Sequence, residues 1–249
     1  DGLVVLRRQQ GTTIAAADRG ARLTAAAGQS WDSVVEEAVQ EGLAGIECLS
    51  GIPGSAGATV VQNVGAYGQE VADTVEAVRV LDRRARAIRE IPASACGFAY
   101  RESAFKRDPE AAVVLAVTFG LKPGTTPVLS FPELAKELGA AVAPDPARVR
   151  ETVLELRRGK SMLLETGDEN RRSAGSFFLN PVLDTARAEE VVCRALKTGA
   201  AERAEEVPRW VYGPGRVKLA AAWLIERSGF IKGHRAGPVG ISSRHALAL

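Results

Sequence analysis

An arginine, a serine and a run of glycines stand where this sequence could do chemistry. Tyr100-Arg101-Glu102-Ser103 leads into Phe105 and Lys106, with Phe98 just before it. An arginine set among aromatic anchors is a candidate fork for a carboxylate. A solvated surface loop is the alternative for so mixed a composition. Further on, Ala174 and Gly175 precede Ser176-Phe177-Phe178-Leu179-Asn180-Pro181, so that two small residues leave a hydroxyl at a tight spot beside an aromatic pair. A serine hydroxyl is a poor acid in water. It donates a proton only to a strongly basic partner, such as an enol carbon, and only when positioned. An apolar strand ended by Asn-Pro is the other reading of that stretch.

Residues 50–68, S-G-I-P-G-S-A-G-A-T-V-V-Q-N-V-G-A-Y-G, hold five glycines and almost no charge. Glycine costs backbone entropy, so such a run needs a reason. A tight turn joining two strands is one. The run is several times longer than a turn of two to five residues needs, however. A wall of backbone N–H groups and small side chains, with Gln62 and Asn63 among apolar neighbours, suits a flat ring system with polar edges. Arg216 and Lys218 form a fourth site. The spacing of Val217, Ala220, Ala221, Leu224 and Ile225 predicts a helix over residues 217–228, closed by Gly229. Two cations in its first turn oppose the helix dipole unless an anion binds there, which makes them either a phosphate subsite or two solvated side chains.

The elements that must carry these residues follow from periodicity. Residues 3–6, 23–27 and 75–81 read as strands, and the apolar, β-branched run 113–119 as a buried strand. Trp31, Val34, Val35, Ala38, Val39 and Leu43 lie on one helical face, with Ser30 as N-cap and Asp32 in the first turn. Residues 146–158 form a second helix, with Pro146 in its first turn, Val149, Thr152, Val153 and Leu156 inside, and Gly159 after it. Residues 185–198 form a third, burying Ala188, Val191, Val192, Ala195 and Leu196. The breakers in Leu121-Lys122-Pro123-Gly124 place a domain boundary there.

Composition narrows the classes. The 249 residues are 46% hydrophobic and 25% charged with a net charge of +2, which is ordinary for a globular protein and gives no case for general nucleic-acid or membrane-surface binding. Three separated cysteines suggest neither a disulfide framework nor a metal site, and two histidines make a histidine metal cluster implausible. No apolar run approaches the roughly 18 residues of a membrane span. Gly213-Pro214-Gly215 lacks the third glycine of a dinucleotide fingerprint, and Gly159-Lys160-Ser161 lacks the earlier glycine of a P-loop. Ser176 has no nucleophile-elbow glycines, so nothing supports a serine hydrolase.

Four stretches in order carry a family resemblance: I-P-G-x-x-G with Q-N-V-G-A-Y-G in 50–68, Y-R-E-S-A-F-K in 100–106, A-G-S-F-F-L-N-P in 174–181 and V-K-L-A-A-A-W-L-I-E in 217–226. With these the chain resembles the UDP-N-acetylenolpyruvoylglucosamine reductases, the MurB flavoenzymes of peptidoglycan precursor synthesis. The resemblance implies an α+β fold: a partial FAD-binding domain of the vanillyl-alcohol-oxidase (PCMH) type over residues 1–121, then a MurB-type substrate-binding domain over 122–249. It implies FAD as cofactor and NADPH as hydride donor. The substrate would be UDP-N-acetylglucosamine enolpyruvate, reduced to UDP-N-acetylmuramate. By motif position Arg101 polarises the substrate carboxylate and Ser176 protonates C2. Pro53, Gly54, Ala58, Val61, Gly65 and Val114 would contact flavin; Tyr100, Lys160, Asn180 and Lys218 would contact substrate. A cytoplasmic monomer without metal, nucleic-acid or membrane partner is expected.

Departures from the family pattern accompany the match. The family's pyrophosphate loop before residue 3 and its catalytic glutamate near the C-terminus have no counterpart here, so a chain cut at both ends is expected. Phe131 stands where relatives with the longer substrate domain often carry a tyrosine, and Leu179 where some carry lysine. Two other functions are open: a flavin oxidase or dehydrogenase of the same fold, and a nucleotide-sugar binder without catalysis. The first half of the chain has no histidine to carry a covalent flavin.

Overall fold

A computed structural model describes residues 9–18, 20–124, 131–139, 144–173 and 175–249. The expected strand at 3–6 lies outside them. Packing divides the chain into two compact units, Asp1–Arg158 and Gly159–Leu249.

The first unit is built on an antiparallel sheet. In chain order its elements are β1 (Thr12–Ala17), β2 (Gly20–Ala26), α1 (Trp31–Gln40), β3 (Leu43–Ala44), α2 (Ala56–Gln62), β4 (Gly65–Ala66), β5 (Gln69–Glu70), β6 (Val75–Asp82), β7 (Ala87–Pro92), α3 (Ala104–Arg107), β8 (Ala112–Pro123), α4 (Pro132–Leu138) and α5 (Pro146–Gly159). The strands run β1-β2-β8-β6-β7, with β3 paired to the end of β8. β2 shows why one face is core: Ala21, Leu23 and Ala25 point in, while Arg22 and Thr24 point out. On β8 the alternation breaks. Val114 and Val117 are both buried because Arg79 pairs with Ala116 and Val80 with Val114, which leaves Leu115 as an extra residue that flips the phase. The run 113–119 is therefore half-buried, contrary to the expected buried strand, and Val113 is 39% exposed.

Helix α1 lays Trp31, Val34, Val35 and Ala38 on this face. Trp31 stacks on Phe119 at 5.5 Å and donates its indole N–H to the Leu49 carbonyl at 3.0 Å, so the largest buried side chain carries no orphaned donor. Ser30 occupies the N-cap position as expected, but its side chain makes no capping bond. Asp32 is turned to other use: it accepts the Gly51 N–H at 2.6 Å and both Arg150 Nη atoms at 2.6 and 2.9 Å.

Arg150 belongs to α5, and that contact bears on the boundary. Leu134 of α4 and Val149 and Val153 of α5 share a buried cluster with Cys48 and Tyr67. Pro123 and Gly124 therefore end β8 without ending the unit, and the division by packing falls after Arg158. Burial pushes the Asp32 carboxyl up, but the bonds from Arg150 and Gly51 and the charges of Arg150 and Arg157 together hold it below the usual carboxylate range. Arg150→Ala should cost about 1 kcal/mol at neutral pH, because it takes the cation from a partly exposed carboxylate that keeps the Gly51 N–H. A depressed folded pKa makes this contribution complete above the unfolded value of about 3.9 and lost as pH falls through the folded one. Urea unfolding of both proteins at neutral and at acidic pH checks this: the gap should be full at neutral pH and shrink below about pH 4.

The second unit contains β9 (Val182–Asp184), α6 (Thr185–Lys197), β10 (Arg209–Val211), β11 (Arg216–Leu219), α7 (Ala221–Arg227) and a hairpin of β12 (Arg235–Ala236) and β13 (Val239–Gly240). A sheet of order β10-β11-β9 packs against α6. Asp184 caps α6 by accepting the Arg187 N–H at 2.8 Å, and Ala188, Val192 and Ala195 are buried as the period predicts, while Leu196 is exposed. The helix expected at 217–228 is shorter. Val217 and Lys218 are in β11, each paired on both sides, and α7 begins only at Ala221. No helix dipole therefore acts on Arg216 or Lys218, and the phosphate subsite inferred from one is withdrawn. Among the described residues no helix is long and apolar enough to cross a membrane.

Candidate functional site

In the first unit the glycine-rich stretch resolves into a loop, a short helix and a hairpin, each with a reason for its small residues. Residues 50–55 bring the chain against the start of α1, where Trp31 donates its backbone N–H to Gly54 O at 3.0 Å. Gly51 and Gly54 have φ of 68° and 123°, a region that side chains disfavour. Helix α2 then presses so close to residues 27–29 that the Ala56 and Gly57 N–H groups reach the carbonyls of Gln29 and Ala27 at 2.9 Å each. Its first-turn donors are thus satisfied within the protein. The buried face of α2 is Ala56, Gly57, Thr59 and Val60. Ala58 and Val61, one helical turn apart, share the other face. Pro53, Gly54 and Ala58 are exposed and Val61 and Gly65 half-buried, so these five expected flavin contacts form a ledge of small side chains and backbone. Gly54 has open space where a Cβ would stand. Val114 differs: it lies in the core, 5% exposed.

Past α2 the chain turns twice. Asn63 ends the helix in a left-handed conformation (φ 44°). Tyr67 and Gly68, with φ of 48° and 89°, then close the hairpin of β4 and β5, in which Gly65 pairs with Glu70. The turn reading thus describes residues 63–70 of the chain. Tyr67 is buried, packs edge-on against Phe131 at 5.3 Å, and burial raises its phenol to about 12. Arg157 reaches Gly51 O at 3.2 Å from α5.

Arg101 stands over the end of this ledge. Ala99 and Glu102 exchange both backbone hydrogen bonds at 3.0 Å, so Tyr100 and Arg101 are the two tip residues of a tight turn. Arg101 has φ 56°, a conformation costing an L-residue roughly 1–2 kcal/mol that glycine would avoid. Its Nη1 donates to Asn63 O at 3.1 Å and its Nη2 to Gly65 O at 2.5 Å, and its guanidinium lies 5.2 Å from the Tyr100 ring centroid. Its own carbonyl accepts Lys106 Nζ at 2.8 Å. Ser103 is buried: it caps α3 by accepting the Lys106 N–H at 3.1 Å and donates to Val61 O at 2.7 Å, so this loop is fastened to α2. The stretch 100–106 is thus anchored to α2 through Ser103 and is not a solvated loop. A Cβ on Gly65 would stand 2.8 Å from Arg101 Nη1, so only glycine lets the guanidinium lie there.

In the second unit Ser176 and Asn180 flank the aromatic pair. The stretch is not a strand; Ser176 makes an isolated bridge with Ala248, and Phe177 N–H donates to Leu247 O at 2.9 Å. Phe177 and Phe178 pack edge-on at 5.3 Å. Asn180 Oδ1 accepts the Ala221 N–H at 2.9 Å and so caps α7, while the Leu219 N–H reaches Pro181 O at 3.0 Å. These two bonds bring Asn180 and the β11 residue Lys218 to one end of the sheet. Lys218 Nζ lies 5.4 Å from the Tyr212 ring centroid. Lys160 follows α5 and is half-buried.

Glu70, which the sequence reading missed, supports Arg101 together with Asn63. Asn63 Nδ2 donates to Glu70 Oε2 at 2.9 Å and to Ala99 O at 2.8 Å, and Glu70 Oε1 lies 3.7 Å from Arg101 Nη1. The available signal was Tyr67-Gly68, a turn pair that sets Glu70 opposite Gly65.

Comparison with known proteins agrees with this layout. Residues 1–89 match the family model of an FAD binding domain, and residues 167–249 match that of the UDP-N-acetylenolpyruvoylglucosamine reductase C-terminal domain. The UDP-N-acetylenolpyruvoylglucosamine reductase of Streptomyces avermitilis is 48% identical over 239 residues, covering 92% of this chain and 64% of the relative. That of Salinispora arenicola is 47% identical over 255 residues, covering 100% of this chain and 68% of the relative. The crystal structure of the Thermus caldophilus reductase superposes with a TM-score of 0.56 at 27% identity, covering 89% of this chain and 59% of the other. The chain thus spans 64% of the length of its Streptomyces relatives. The order of the two models, FAD-binding part first and reductase part second, is the order the sequence reading expected, on an α+β fold. The chain belongs to the UDP-N-acetylenolpyruvoylglucosamine reductase family.

Proposed function

We propose that this chain carries the flavin ledge and substrate-handling residues of an enzyme that reduces UDP-N-acetylglucosamine enolpyruvate to UDP-N-acetylmuramate in peptidoglycan precursor synthesis. The observation that supports it most is Arg101, held in a disfavoured backbone conformation with its guanidinium fixed on the carbonyls of Asn63 and Gly65. Pro53, Gly54, Ala58, Val61 and Gly65 are the residues to hold FAD, since an exposed ledge of small side chains and backbone fits a flat ring. When bound, the flavin supplies hydride, taken from NADPH, to C3 of the enolpyruvyl group. The fork of Arg101 grips the substrate carboxylate and stabilises the negative charge that develops there. Ser176 Oγ gives its proton to C2, and the hydroxyl regains a proton from solvent. Tyr100, Lys160, Asn180 and Lys218 are assigned to substrate by their places in the family motifs. Asn180 serves through the side-chain atoms left by its cap on α7. Assignment of residues 1–121 to flavin and 122–249 to substrate belongs to this proposal, as do a monomeric state, a cytoplasmic setting, and a part in cell-wall growth, cell shape and cell division.

The visible absorbance spectrum tests the reading. The protein, purified as its complete gene encodes it, should show a flavin band that bleaches on anaerobic addition of NADPH and returns on addition of the enolpyruvyl substrate. A band that bleaches and does not return with substrate would leave an oxidoreductase with another oxidant. Absence of a band would sink the flavoenzyme reading and favour a nucleotide-sugar binder.

A further inference from the structure

The carboxylate of Glu70 has three neighbours that fix its place. Oε2 accepts Asn63 Nδ2 at 2.9 Å, and Oε1 faces Arg101 Nη1 at 3.7 Å. Its side chain also accepts the Asp73 N–H, while the Glu70 N–H goes to Asp73 Oδ2 at 2.7 Å, a reciprocal cap on the turn that follows. The preceding residue pins the hairpin from its other side. Gln69 Nε2 donates to the buried Glu47 at 2.8 Å, and Gln69 Oε1 accepts the Cys48 N–H at 2.8 Å. Glu70 therefore sits on a hairpin anchored to the core, with its carboxylate beside Arg101 Nη1.

We infer that Glu70 is a positioning residue for Arg101: its carboxylate, with the Asn63 and Gly65 carbonyls, fixes the guanidinium so that its remaining donors are presented to a ligand carboxylate. The inference rests on the proposed role of Arg101 in binding the substrate carboxylate. Only a carboxylate meets both demands, because Asn63 Nδ2 and Arg101 Nη1 are both donors. An amide in its place would turn an NH2 toward one of them. Glu70 also partly offsets the charge of Arg101. Its removal therefore acts in two directions: the fork loses orientation, while the net attraction for an anion does not weaken.

That double effect gives a signature that simple damage to the fold would not produce. Glu70→Gln keeps size and one acceptor, and Glu70→Ala removes the group. Both should lower kcat with the enolpyruvyl substrate, by about tenfold and about a hundredfold respectively, since misplacement by an ångström costs on that order. KM for that substrate should stay level or fall, and flavin reduction by NADPH should be unchanged. A second readout does not depend on turnover: the Arg101 side-chain N–H signal in a 1H–15N spectrum, identified by its loss in Arg101→Lys, should be sharp in the parent protein and broadened in Glu70→Gln. Unchanged kcat in both variants, or an equal fall in the NADPH step, overturns the inference. So does an Arg101 signal unaffected by Glu70→Gln. If the parent protein fails to reduce the enolpyruvyl substrate but its Arg101 signal is sharp and lost in Glu70→Gln, the substrate reading falls and the positioning role stands.

Discussion

Ser176→Ala is expected to leave flavin reduction by NADPH intact and to slow formation of product by about 10²–10⁴-fold, the span that a positioned general acid contributes. The argument begins with what the substitution spares. It removes one oxygen and keeps Cβ, so the bridge to Ala248 and the Phe177 N–H bond to Leu247 O remain. The edge-on contact of Phe177 with Phe178 also survives, because Ser176 contributes nothing to it. Stability should therefore move within about 0.5 kcal/mol, as for a substitution outside the buried core. What is lost, on the proposed mechanism, is a proton donor. A serine hydroxyl has a high pKa, and the carbon left after hydride arrives at C3 is basic enough to take its proton only if the hydroxyl is already in place. Stopped-flow mixing separates the two steps: in Ser176→Ala the flavin band should bleach with NADPH at the parent rate and recover slowly, if at all, with substrate. Ser176→Cys, whose thiol is more acidic but larger, should recover part of the loss. Product formation by Ser176→Ala at the parent rate would remove Ser176 from the chemistry.

How much of this was legible depends on whether a feature is periodic or positional. Helix α1, strand β2 and helices α5 and α6 each bury a face whose spacing is written in the sequence, and they fold where that spacing puts them. Residues 217–228 misled because Val217 and Leu219 fit a strand, Ala220 to Ile225 fit a helix, and nothing local marks the change; the ladder to β9 and β10 decides it. Helix α2 was hidden by its own composition. Alanine and glycine at 56–58 look like loop, yet Ala56 and Gly57 are small because α2 must lie against residues 27–29. The packed unit runs past the breakers at 123–124 for the same kind of reason: they end a strand, but Leu134, Val149 and Val153 find their apolar partners in Cys48 and Tyr67. At the site, Arg101 and Gly65 were readable by type. Glu70 was not, since its distance from Arg101 is 31 positions in sequence and one hairpin register in space.

Arg101→Lys should lower kcat/KM for the enolpyruvyl substrate by about 10²–10³-fold, comparable to removing one preorganised donor from a developing anion. Lysine keeps the charge and much of the length, so the change isolates geometry. Arg101 spends Nη1 on Asn63 O and Nη2 on Gly65 O while facing Tyr100, and a planar group can do this and still offer an edge outward. An ammonium is a point charge that cannot bridge two carbonyls and a ligand in one plane. The backbone strain at φ 56° is the same for either residue, so it does not enter the difference. Gly65 sharpens the point: its missing side chain clears space that a guanidinium fills and an ammonium would leave open. Two controls fix the cause. UDP-N-acetylglucosamine, which has no enolpyruvyl carboxylate, should bind parent and variant equally in a calorimeter. Flavin reduction by NADPH should also be unaffected. Equal loss toward the ligand without the carboxylate would mean that Arg101 supports the ledge and does not grip the acid. Full turnover by the lysine variant would mean that a cation suffices and that the fork geometry of Asn63, Gly65 and Glu70 serves the fold alone.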